Sequence, residues 1–343
     1  MAEPRKSSVD VSYNGLNIST TLESYLKSFS YTDPASGESD SISIKVHDKE
    51  KKWINNWLPS KGDQLSASII TENWNKDGEI RKFDCGSFTI DELGAAGRPM
   101  EATIGAVSVP VSEGFSVTEK TTTWEEVTIE TIASDIAVRA GISLYYEAST
   151  IKISSIEQSN ENDCSFLYKL CSKYGLAMKV YKSRIIIFEE SVYEKKSAVV
   201  TIDEADMKSW NYSDSMVGTY TGVNITYTDP YSGDDISVVL GSGNRIYNSN
   251  TMVDNYEEAE LIGTAAVNNA NKSAVSMKIV IAANKAISSS TNVNITGLGK
   301  LNGKYAVDKV THNLSNGYTM TLQIRKIQSR LSANAMTQSS VQK

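Results

Sequence analysis

The hydrophobic period of this chain changes twice, and that change limits the fold more than any other feature. Up to about Lys120 the chain is a succession of short strand-like runs separated by turn chemistry. Ser41-Ile-Ser-Ile-Lys-Val46 alternates strictly, which sets Ile42, Ile44 and Val46 on one buried face of a strand. Gln64–Ile70 and Lys82–Ile90 are of the same kind. Asp33-Pro34-Ala-Ser-Gly37, Lys61-Gly-Asp63 and Lys76-Asp-Gly78 supply the backbone angles that reversals need.

Near Thr121 the period becomes helical. Thr123-Trp-Glu-Glu126 has the spacing of a capping box and predicts a helix start there. Ile129, Ile132, Ala133, Ile136, Ala137 and Ala140 follow on one face, and Gly141 stands where a left-handed C-cap belongs. A strand is expected at Ile151–Ile156. A second helix follows, with Asn162 as N-cap, Phe166, Leu167, Leu170, Cys171 and Tyr174 on its face, and Gly175 as stop. Strands Ala177–Tyr181 and Arg184–Phe188, turned through Lys182-Ser183, close a small α+β unit.

From Thr201 the strand pattern returns, at Gly222–Thr228, Ile236–Leu240, Ser276–Ala282, Asn292–Ile295, Lys304–Asn313 and Tyr318–Arg325. One helix, Asn255–Lys272, interrupts it, with Tyr256, Ala259, Ile262, Ala266 and Ala270 along its apolar face. Tyr31-Thr-Asp-Pro-Ala-Ser-Gly37 is echoed by Tyr227-Thr-Asp-Pro-Tyr-Ser-Gly233, which fits either a duplicated barrel or shared hairpin chemistry. A chain of 343 residues exceeds one core. The texture divides it into a β domain over 1–120, an α+β domain over 121–200, a second β domain with one helix over 201–328, and a flexible polar tail over 329–343.

Motifs that carry chemistry are scarce. A net charge of -7 and the absence of a basic stripe argue against phosphate neutralisation. Lys49–Lys52 and Lys195-Lys196 read as solvated faces. His47 and His312 lie far apart in sequence and lack the partner spacing of a metal site. Cys85, Cys164 and Cys171 form no paired spacing and read as small core residues. No G-x-S-x-G elbow occurs, and Gly241-Ser-Gly243 lacks the Lys and helix of a phosphate loop.

Glu125-Glu126, Glu189-Glu190, Asp203-Glu204 with Asp206, and Asp234-Asp235 contain carboxylates for a glycosidase pair, but neighbours on a strand point to opposite faces. The expectation is therefore no catalytic, cofactor or metal site. Met1–Asp10 is polar with no apolar run after it, so folding in a cytoplasm without membrane insertion is expected.

Three stretches resemble the late control gene D family, the tail hub proteins of contractile phages and related bacteriocins. They are Thr128–Ile142; Gln158–Gly175 with Asp163, Phe166, Leu167, Leu170, Tyr174 and Gly175; and Val293–Arg325 with Gly303–Val307, Val310, His312 and Gly317-Tyr318. The resemblance covers about 30 to 325. It implies a mainly β fold with an α+β insert: two tube-like β-barrel domains flanking the α+β domain, as at the base of type VI secretion spikes.

The resemblance further implies a non-enzymatic homotrimer that adapts a six-fold tail tube to a three-fold spike. Its implied partners are the tail tube protein, the trimeric central spike protein and baseplate wedge proteins, and could extend to the tape measure protein. DNA would pass through the channel without specific binding, helped by the acidic balance. The implied location is the host cytoplasm during assembly and then the virion or bacteriocin particle. Two other readings compete: a carbohydrate-binding or adhesin sandwich using Trp53, Trp57 and Trp74, and a cell-wall hydrolase.

Overall fold

The computed structural model describes residues 4–74, 76–108, 114–228, 233–284, 286–315 and 317–332. The first third is β1 (Lys6–Tyr13), β2 (Leu16–Asn17), α1 (Ser19–Glu23), β3 (Leu26–Pro34), β4 (Ser41–His47), β5 (Gln64–Glu72), β6 (Ile80–Ala96) and β7 (Glu101–Val107). The middle is β8 (Glu119–Thr128), α2 (Ile129–Ala140), β9 (Ser143–Glu147), β10 (Lys152–Asn162), α3 (Asp163–Lys173), β11 (Ala177–Tyr181), β12 (Arg184–Phe188) and α4 (Glu190–Lys195). The last third is β13 (Val200–Asp203), β14 (Met207–Asp214), β15 (Gly222–Thr228), β16 (Asp235–Gly241), β17 (Ile246–Ser249), α5 (Tyr256–Asn271), β18 (Val275–Ala282), β19 (Asn292–Thr296), β20 (Gly303–Ser315) and β21 (Gly317–Lys326).

One 13-stranded sheet joins the two ends of the chain, in the order β14-β18-β21-β20-β3-β4-β7-β6-β5-β1-β2, with β19 also on β20 and β13 on β19. The fold is mainly β with small helical inserts, as expected. Among the described residues no ladder closes either half into a barrel.

The join lies on β20. One edge of β20 pairs with β21 throughout; the other pairs with β19 at Gly303–Ala306 and with β3 at Lys309–Leu314. The change of partner falls at a register shift between Val307 and Lys309. There the Val307 N–H donates to Thr291 on one side, while the Asp308 carbonyl accepts from Ala35 on the other. The bulge thus keeps the backbone paired where two sheets meet on one strand.

Buried side chains fall into two clusters. Phe29, Ile44, Ile69 and Phe88 from the first third pack with Ile279, Tyr305, Leu322 and Ile324 from the last. Ile132, Ile136, Leu167 and Ile185 of the middle pack with Val223, Ile225, Ile262 and Val267 of the β15–β17 sheet and α5. The two halves of the sequence echo therefore sit in different sheets, on β3 and β15; residues 229–232 of the second copy lie outside the described residues.

The expected capping box is not one. Thr122–Val127 are strand residues paired with β10, and the helix starts later, at Ile129. Thr128 is the actual N-cap, its hydroxyl accepting from the Thr131 amide at 3.1 Å. Cross-strand pairing has taken the hydroxyl of Thr123 out of helical context. The rest of α2 follows expectation, with Gly141 at φ 64° as its left-handed cap. In α3 Asn162 caps Ser165 at 2.9 Å. Lys182 and Ser183 turn β11 into β12 with φ 47° and 54°.

α5 is rotated from the expected face: Tyr256 is exposed while Ala259, Ile262, Gly263 and Val267 are buried. Gly263 sets this rotation, because a Cβ there would lie 3.1 Å from both Val223 and Ile225, so the helix meets the sheet where it has no side chain. The start of the expected tail is held in place. Asn268 bonds both the amide and the carbonyl of Leu331, while 333–343 lie outside the described residues.

Thr128→Ala should lower unfolding free energy by about 1 kcal/mol in denaturant titration, the usual effect of losing an N-cap. Thr123→Ala, on an exposed strand position, should change it by no more than about 0.5 kcal/mol. Equal losses would restore the capping box.

Candidate functional site: the seam between the two β halves

The seam strands are locked to the middle of the chain by two buried clusters of charge. In the first, Asp33 at the end of β3 accepts from the Lys179 ammonium of β11 at 2.6 Å and from the Ser289 hydroxyl at 2.6 Å and amide at 2.9 Å. Lys179 also lies 3.1 Å from Asp40, whose other oxygen accepts from the Tyr31 hydroxyl. Burial pushes the Asp40 carboxyl up to about 6, against the pull of Lys179. Burial alone would lower Lys179, but Asp33 and Asp40 more than offset it and hold its ammonium above the usual range.

The second cluster gathers α4, β20, β21, the end of α5 and the terminal segment. Arg325 donates to Glu194 at 2.6 Å and to Asp308 at 2.8 Å. Arg330 donates to Glu194 at 2.7 Å, and Lys272 to Glu190 at 2.7 Å. Burial would raise both glutamates, but Lys272, Arg325 and Arg330 hold them below the ordinary carboxylate range. Paired charges of this kind fix geometry, since removing one partner strands the other in a poor solvent for it. Asp308 stands at the β20 bulge, so this cluster grips the point where the strand changes partner.

The residues singled out in the sequence do not converge. His47 is exposed and meets the Ser24 carbonyl at 3.0 Å. His312 is buried in the seam, 2.6 Å from the Tyr318 hydroxyl and stacked on Phe83. Burial pushes its imidazole down to about 4 and keeps it neutral. The cysteines are free and buried. No group of three His, Cys, Asp or Glu among the described residues could hold a metal.

Several of the acidic candidates have structural partners. Glu189 accepts from the Ser149 amide, Asp203 from Ala205 and Thr296, and Asp235 from Thr228. Glu126 stands at φ 47° within β8, and Glu204–Asp206 form one 3-10 turn. Gly241 ends β16 and Gly243 lies in the turn after it; a Cβ on Gly241 would lie 2.4 Å from the Thr221 carbonyl. Of the proposed sugar platform, Trp53 is buried, Trp74 donates to the Ala283 carbonyl, and Trp57 is exposed.

Sequence reasoning missed the clamp residues Asp33, Lys179, Glu194 and Arg325. The Lys179–Asp33 and Arg325–Glu194 partners stand 146 and 131 positions apart, and no local pattern encodes such a pair.

Glu194→Gln should cost about 3 kcal/mol or more in chemical denaturation, because it leaves buried Arg325 and Arg330 short of charge. His312 makes stability fall with acid: the unfolded ring takes its proton near 6.5, the folded one only near 4, so about 3 kcal/mol is lost across that window. Asp40 acts oppositely, protonating near 6 when folded and 3.8 when unfolded, which adds stability as pH falls through that range. Thermal melts should therefore show a shallower acid limb in His312→Gln and a steeper one in Asp40→Asn.

No protein-family model matches the chain. It is 28% identical over 213 residues to the probable baseplate hub protein of Escherichia phage P2, covering 60% of this chain and 52% of that one. To the corresponding protein of Escherichia phage 186 it is 26% identical over 216 residues, covering 61% and 53%. The matched part thus spans about half the length of these curated relatives.

Among solved structures, the 43 kDa tail protein of prophage MuSo2 from Shewanella oneidensis superposes with a TM-score of 0.70 at 12% identity, covering 93% of this chain and 98% of that one. The E. coli c3393 protein, a type VI secretion component with structural similarity to the T4 tail proteins gp27 and gp5, gives 0.56 at 10% identity over 96% and 78%. In sequence the chain is similar to the baseplate hub proteins of phages P2 and 186, and its fold is that of solved phage tail proteins.

Proposed function

We propose that the protein is the structural hub of a contractile tail baseplate, acting as a trimeric ring that adapts a six-fold tube to a three-fold central spike and continues the tube channel. The observation that carries this reading is the seam. β1–β7 and the strands β13, β14 and β18–β21 stand side by side through the β20–β3 pair, and in this reading each set is one tube-like lobe, so that three chains offer six. In this arrangement each half approximates a barrel that neighbouring chains help to complete, which accounts for the open ladders of the single chain. The α+β unit over 121–200 sits outside the ring together with β15–β17 and α5, with which it shares a core.

The further partners in this reading are the tube protein, the trimeric spike, wedge proteins and the tape measure protein. Its location is the particle, after assembly in the host cytoplasm, and its role is non-enzymatic. Sequence similarity to baseplate hub proteins supports that role.

Light scattering of the protein, alone and co-expressed with its spike, should give a mass containing three copies of the 37.5 kDa chain in at least one sample. A monomer in both would reject the ring and turn attention to Trp57 as a binding residue.

A further inference from the structure

The outer face of the central strands has an unusual chemistry. Residues on β3, β4, β7, β20 and β21 alternate between buried and half-exposed, so the half-exposed set forms the face opposite the core. Register pairs trace one row across it from β4 to β14: Ser41, Thr32, Thr311, Thr321, Val280 and Ser209; beyond Ser41, Val107 of β7 is packed on the core of the middle unit. The adjacent row runs Gly105, Ser43, Ser30, Asn313, Thr319 and Ala282.

Both rows cross the seam without a break, and neither holds a charged or large apolar residue. Charge stands beside them, with Lys45 between Ser28 and Thr103, Lys278 and Lys309 on either side of Gln323, and Glu92 beyond Gly105; Lys309 is paired with Glu38 at 2.6 Å. Within the rows the polar groups bond one another: Asn313 donates to Thr321 at 3.2 Å, and the Thr32 and Thr311 hydroxyls lie 3.5 Å apart.

This is not the composition of a surface that faces bulk water or a docked partner. In a chain with 22% charged residues, an exposed sheet face would be expected to carry Lys and Glu. A docking face would carry aromatic or branched apolar anchors, and a face that holds nucleic acid would carry Lys and Arg. Apart from Val280 near one end, the rows hold only small side chains, hydroxyls and one amide, and at the seam Asn313, Thr321, Thr32 and Thr311 are turned to one another.

We propose, resting on the ring reading above, that these two rows are the wall of the central channel and that their neutrality makes the wall non-adhesive to a passing polyanion. Passage then depends on a charge-free surface. The acidic balance of the whole chain is not needed for it.

Single variants Ser43→Cys and Thr321→Cys report the placement, since the three native cysteines are buried. In the free chain both should react with a small maleimide and with one carrying a long polyethylene glycol chain. In the ring the small reagent should still react, while the large one slows at least about tenfold. Equal reaction of the large reagent would put the rows outside, and protection from both would put a partner on them; either result overturns the proposal. If scattering finds no ring, the proposal falls with the reading it rests on, and mass alone distinguishes that failure.

The combined variant Ser30→Lys, Ser43→Lys, Thr311→Lys should retain duplex DNA at low salt as an assembled ring, where the unaltered ring does not. Retention by the unaltered ring would refute the non-adhesive wall.

Discussion

Everything in this molecule is arranged around the double pairing of β20. A strand has two edges, and β21 occupies one of them throughout. The other must serve both β19 and β3, so the backbone has to break register between them without orphaning a donor or acceptor. The bulge at Asp308 achieves this, and the Glu190–Glu194–Arg325–Arg330 cluster grips the same place from outside the sheet. Without that strand the first and last thirds of the chain would be separate sheets with separate edges.

The ionic clamps extend the same logic to the middle of the chain. Lys179 ties β11 to the end of β3, and Glu190 and Glu194 tie α4 to β21. These are expensive devices, because charges lose hydration when buried, and hydrophobic replacements of similar volume are often as stable. What they supply is a fixed relation between the seam sheet and the middle of the chain. A scaffold that must present several surfaces at set angles benefits from that more than from an extra margin of stability.

Local structure was legible in the sequence wherever it follows from period and caps. The apolar spacing of Ile129–Ala137, the Asn162 cap and the Lys182-Ser183 turn each depend on neighbours a few residues away, and each stands where it was expected. The misreadings have a common cause in partners distant in sequence. Thr123 looks like a cap until β10 claims it as a strand residue, and Tyr256 looks like a core position until Gly263 sets the rotation of α5. The parallel β13–β19 pair, the branching of β20 and both clamps join residues with no local signature. The charge-free rows are likewise invisible in the sequence, because they exist only once register brings Ser30, Ser43, Asn313 and Thr319 side by side.

The central claim is that one chain supplies two lobes of a tube. End-on electron micrographs of assembled rings, averaged without imposed symmetry, test it most directly. Six lobes should appear around an open or plugged centre, related by three-fold and not by true six-fold symmetry, with the α+β units projecting outward. A ring with one lobe per chain would contradict it, and so would a ring in which six chains close the tube.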